Sequence, residues 1–158
     1  MSLNPYDKFL GERDALEVMA ATPARLKAAV ASLSTEQADE PIAPGKWSVR
    51  QIVAHLADAE IGFGFRLRQT LGRVPVIQPF DQDAWAESYA RYTLAAGLEA
   101  FRALRAWNVV LVRGFSEADK AVRVTHPERG EMTLWTIVET MAGHDLNHLP
   151  QIEGVAGK

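Results

Sequence analysis

The chain has no cysteine, which excludes disulfides, thiolate metal ligands and cysteine nucleophiles. Histidine and carboxylate are left as the side chains to hold a transition metal. There is no surplus of positive charge either: the net charge of -3 offers no basic footprint for nucleic acid or an anionic membrane surface. No run approaches the ~18 apolar residues of a membrane span. The opening MSLNPYDKFLGERD lacks the charged-then-apolar pattern of a secretion signal, so a cytoplasmic location is expected. No G-x-S-x-G elbow supports a serine hydrolase, and no glycine loop is built to cradle phosphate. No internal repeat, low-complexity stretch or linker divides the chain. Its 158 residues are expected to form one domain, 1–158, with a substantial core.

What is present is helical period. Thr22-Pro23 reads as an N-cap followed by a first-turn proline, which predicts a helix from Pro23 to about Leu33 with Leu26, Val30 and Leu33 inward. Residues 14–20 form a shorter helix before it, or a first half bent at the proline. Ser34 to Gln37 cap one further turn. Ser48 and Gln51 make an S-x-x-Q capping box, with Trp47 and Ile52 as the staple pair, so the next helix runs from Val49 to about Leu71. Its stripe is Ile52, Leu56, Phe63 and Leu67. Residues 73–92 are irregular, with a short helix capped by Asp81. Thr93 starts a third long helix that ends near Leu111 or Val112, before Gly114. Ser116 caps a turn, and segments 123–125 and 131–133 could pair as a small hairpin or remain an irregular loop. Thr133 caps the last helix, with Met132 and Ile137 as its staple; Pro150 should bend it or tighten a turn. The whole reads as an all-α four-helix bundle with short extra elements. The connection between the second and third long helices spans about twenty residues, against the 2–8 usual in bundles, which suits a crossover between parallel neighbours.

The chemistry lies in four histidines. His144 and His148 are four apart on the last helix, roughly 40° apart around its axis and about 6 Å along it, so both can reach one ion. His55 projects from the second long helix, with Ala59 and Gly62 keeping its face narrow. If those helices are neighbours, three imidazoles converge and leave a position for water or substrate, the arrangement of catalytic zinc. His126 precedes Pro127 in a loop, where histidine is usually solvated, and is not counted as a ligand. Asp58 and Asp145 are candidates for a general base, for orienting a ligand imidazole or, for Asp58, for a solvated surface carboxylate. Arg66, on the face of His55, could meet an anionic substrate or sit in an ion pair near the bundle end.

GKWSVRQIVAHLADAE at 45–60 and ETMAGHDLNHLPQI at 139–152 resemble the DinB-like superfamily of small helical bundles. The resemblance extends through ATPARL at 21–26 and HPERGEMTL at 126–134. It implies that His55, His144 and His148 hold a divalent metal, zinc or nickel. For several members it implies transfer or isomerisation with a low-molecular-weight thiol, and for others hydrolysis, each on a small-molecule substrate. The proline in HLPQI stands where the family more often has a small or polar residue. A zincin protease needs Glu directly after the first His of the pair, where this chain has Asp145. A non-catalytic bundle, steadied by a metal or by none, is the rival reading. An apolar face on the first or third long helix could serve a homodimer.

Overall fold

The computed structural model describes residues 3–157, so Met1, Ser2 and Lys158 of the expected 1–158 domain lie outside the described residues. Its helices are α1 (Asp7–Leu10), α2 (Ala15–Val30), α3 (Thr35–Asp39), α4 (Val49–Leu71), α5 (Gln82–Ala86), α6 (Leu94–Arg113), α7 (Glu117–Lys120) and α8 (Leu134–Ala156). A single 3-10 turn covers Tyr89–Arg91, and strands β1 (Arg123–His126) and β2 (Gly130–Thr133) form an antiparallel hairpin. None of these helices is long and apolar enough to cross a membrane.

The expected caps form. Ser48 Oγ accepts from the Gln51 N–H at 3.3 Å while Gln51 Oε1 accepts from the Ser48 N–H at 3.0 Å, which satisfies two orphan donors at the start of α4. Thr133 Oγ1 likewise accepts from the Thr136 N–H at 3.2 Å and starts α8.

The helix start expected at Thr22-Pro23 is corrected. Asp14 is the N-cap, its Oδ1 accepting from the Glu17 N–H at 2.8 Å, and α2 runs unbroken through Pro23 to Val30. Proline at 23 cannot donate to the carbonyl of Met19. Arg105 of α6 takes that carbonyl instead, Nη1 donating at 3.0 Å. α8 similarly continues past Pro150 to Ala156.

α4 packs against α6 and α8, and α2 packs against the other sides of both. Val53 lies beside Gly97, Glu60 beside Arg105 and Gly64 beside Asn108, so α4 and α6 run parallel. Residues 72–93 make the crossover that this requires. The apolar core divides into two clusters. One holds Met19, Leu67, Val109 and Met141; the other holds Leu26, Ile52, Phe101 and Ile152. Between them the bundle is crossed by a buried polar layer that includes Thr22, His55, Glu60, Arg105, His144 and Asp145. Burial of so many polar groups is tolerable only where they are matched to one another.

Candidate metal centre

α4 supplies His55, and α8 supplies His144 and His148 one turn apart. Each of the three offers a ring nitrogen, and these atoms lie within 4.8 Å of one another. Nε2 of His55 and Nε2 of His144 are 2.8 Å apart. All three rings are buried, and Nδ1 of His148 is a buried nitrogen without a partner among the described residues. No carboxylate joins the cluster among those residues.

Burial sets the protonation state. It lowers the pKa of His55 to about 3, helped by the charge of His148. Burial lowers His148 to about 4, with the nearby Gln151 side chain opposing the shift. His144 falls well below its ordinary value through burial, then through His148, His55 and Arg105. At neutral pH all three imidazoles are neutral, as metal ligation requires. The donor set therefore fits a divalent metal ion: neutral nitrogens from two helices, converging, with one buried ring nitrogen left without a partner.

Aromatic rings close in on the histidines. Tyr6 and Phe63 stand edge-on to His144 with centroids at 5.2 and 5.8 Å. Trp47 lies 4.9 Å from His55, and the Tyr89 hydroxyl is 3.4 Å from His55 Nδ1. Tyr6 can approach because residue 143 is glycine: a Cβ there would meet the Tyr6 Cβ and carbonyl oxygen at 2.7 Å. Gly143→Ala is expected to cost about 1–3 kcal/mol through overpacking. Its thermal melt and near-ultraviolet dichroism report this, and an unchanged melt would contradict the close contact.

Beneath the histidines, Arg105 is 1% exposed and links two carboxylates. Its Nη1 and Nη2 donate to Asp145 at 2.5 and 2.9 Å, and Nη2 donates to Glu60 Oε1 at 2.7 Å. Burial opposes its charge, but Asp145 and Glu60 outweigh burial and raise its pKa. Asn108 donates to Glu60 Oε2 at 2.9 Å, and Thr22 Oγ1 lies 2.8 Å from Asp145 Oδ2. Both oxygens of Asp145 are thus engaged away from the imidazoles.

Asp58 is half-buried in the groove between α4 and α6, beside Ala54, Ile61 and Leu104, and burial raises its pKa. Arg66 makes no ion pair among the described residues; its Nε donates to the Gln78 carbonyl at 3.0 Å. His126, expected to be solvated in a loop, is instead buried on β1, because the hairpin turns alternate residues of that strand inward.

Sequence reasoning passed over Tyr89, Tyr6 and the Arg105–Glu60 pair as site elements. For the last a signal existed: Glu60 and Arg105 are opposite charges at otherwise apolar positions of two long helices. Tyr89 carried none, since its place depends on the path of the crossover.

Residues 19–152 match the sequence pattern of the DinB superfamily. A protein of Oceanobacillus iheyensis, provisionally named a metal-dependent hydrolase, is 33% identical over 132 residues, or 82% of this chain and 77% of that protein. YfiT of Bacillus subtilis bears the same provisional name and is 30% identical over 141 residues, 87% of this chain and 79% of its own length. A solved structure of YfiT, described as an unusual four-helix bundle topology, matches with a TM-score of 0.83 at 27% identity, covering 99% of this chain and 89% of that one.

Proposed function

This chain belongs to the DinB superfamily, and from that membership and its three converging histidines we propose that it is a metal-dependent hydrolase acting on a small molecule. The observation that carries the reading is a donor set of three imidazoles with no carboxylate among them. Three protein ligands leave a coordination place for water or substrate, whereas structural zinc is closed by four. A zinc or nickel ion held there supplies Lewis acidity and lowers the pKa of a water brought to it toward about 7.

The chain's own residues prepare the place. His55, His144 and His148 are held neutral by burial, so their lone pairs are free at neutral pH. The Tyr89 hydroxyl sits against Nδ1 of His55 and fixes the orientation of that ring. Asp145, gripped by Arg105, anchors the turn of α8 that carries His144. Tyr6, Phe63 and Trp47 keep bulk water off the imidazoles, which strengthens every charge interaction inside.

Metal analysis of the full chain tests this. After reloading with zinc or nickel, wild type is expected to hold about one ion per chain, and His55→Ala with His148→Ala together to hold almost none. Equal metal in both sinks the reading. Metal-loaded protein is then given esters and amides, and separately a thiol with an electrophile. Turnover of the first kind that disappears in the double variant is the expected result; turnover only with the thiol would replace hydrolysis by transfer. No turnover of either kind would leave a non-catalytic metal bundle.

A further inference from the structure

Arg66 is 6% exposed, yet among the described residues no carboxylate pairs with it. Among the described residues its guanidinium makes one hydrogen bond, from Nε to a backbone carbonyl, and it lies over the rings of Phe80 at 4.7 Å and Phe63 at 5.7 Å. These contacts hold the fork in place without neutralising it. The outer edge of the fork still reaches solvent, and the surroundings raise the cost of its charge. Burial and then the positive charge of Arg129 lower its pKa to about 10, with Glu128 opposing only in part.

The same narrow cleft is lined by Phe63, Arg66, His126, Arg129 and Thr140. His126 is 3% exposed, and its Nδ1 accepts from the Glu128 N–H at 3.2 Å. The ring proton is therefore on Nε2, as a donor. Two guanidinium groups and an imidazole N–H meet here; Glu128 lies close enough to offset part of their charge, and among the described residues neither arginine forms an ion pair. The cleft also adjoins the metal centre. Phe63, one of its walls, stands edge-on to His144, and the charge of Arg129 reaches Tyr6, which packs on the same imidazole.

We propose that Arg66, Arg129 and His126 form a docking position for a carboxylate group of the substrate, beside the metal centre. A guanidinium N–H donates a charge-assisted hydrogen bond to a carboxylate oxygen. The cleft has a volume of only about 10 Å³, room for about one water-sized group. That admits a single carboxylate oxygen. Assigning the carboxylate to a substrate rests on the hydrolase reading; binding of a carboxylate in the cleft does not.

The test titrates acetate and succinate into the full chain stripped of metal, with chloride at equal ionic strength as reference, followed by calorimetry and amide chemical shifts. Saturable binding is expected for the carboxylates and not for chloride. It should weaken about tenfold or more in Arg66→Met, and also in Arg129→Gln, whose exposed side chain can be changed without disturbing the fold. His55→Ala should leave it intact while removing metal, so loss of the metal reading and loss of this one are told apart. Binding no different from chloride, binding unchanged in both arginine variants, or phosphate binding more tightly than either carboxylate overturns the proposal.

Discussion

Arg105→Met is expected to destabilise the protein by about 3–5 kcal/mol, the loss typical of breaking a buried ion pair from one side. Methionine fills much of the same volume, so the cost is not chiefly a cavity. It comes from Glu60 and Asp145, both buried, which are left facing one another without a cation between them. The Met19 carbonyl, already deprived of a helical partner by Pro23, loses its substitute donor as well. By contrast the Arg25–Glu153 pair, with side chains 46% and 41% exposed, contributes at most about 1 kcal/mol. Urea unfolding with an unchanged slope reads the difference. A triple variant, Arg105→Met with Glu60→Gln and Asp145→Asn, should recover more than half of the loss, because no charge is then stranded. If the single variant loses under about 1 kcal/mol, water reaches the layer and the pairing account fails. Because Asp145 adjoins His144, the single variant should also bind metal more weakly; the triple variant need not.

The parts of the fold that were legible in the sequence are those that local chemistry decides. Ser48 with Gln51 satisfies backbone donors three residues away, so α4 announces its own start. His144 and His148 share a helix face whatever surrounds them. The segments 123–125 and 131–133 were legible only as a hairpin or an irregular loop, and the structure pairs them as a hairpin. Thr22-Pro23 misled because the same dipeptide is compatible with a helix start and with a helix interior. The choice is made far along the chain, at Arg105, 86 positions from the Met19 carbonyl that it takes in place of the proline. The cap that forms, Asp14 on the Glu17 N–H, was not read from the sequence. Arg66 could be placed on the face of His55 by period alone. That it has no counter-ion could not be read, because it depends on where Gln78, Phe80 and the hairpin fold back. The convergence of His55 with the α8 pair was likewise conditional until α4 and α8 were seen to pack together.

Acid is expected to unfold the metal-free protein beginning at only mildly low pH, and the buried histidines set the window. His55 and His148 are lowered from 6.5 to about 3 and about 4 in the folded chain. Below pH 6.5 the unfolded chain takes up protons that the native site refuses, so stability falls as pH drops from 6.5 toward 4 and is level above 6.5. Each such group contributes about 1.4 kcal/mol per pH unit inside its window. Two of them lower stability by about 3 kcal/mol between pH 6.5 and 5, a large part of the 5–15 kcal/mol typical of a domain. His144 shifts in the same direction. Asp58 and Glu139, whose pKa values burial raises, work the other way, since their stabilisation is present at low pH and lost as pH rises. Both are partly exposed, and solvent screening leaves them a small share. Urea midpoints at pH 7.5, 6 and 5 measure the slope, and His55→Gln with His148→Gln should flatten it. A midpoint that does not move between pH 7 and 5 would show that the imidazoles are solvated in the native chain. Adding zinc should raise stability across the range without changing the slope between pH 6.5 and 5, because in that interval neither the free nor the loaded native site takes up a second proton on these rings.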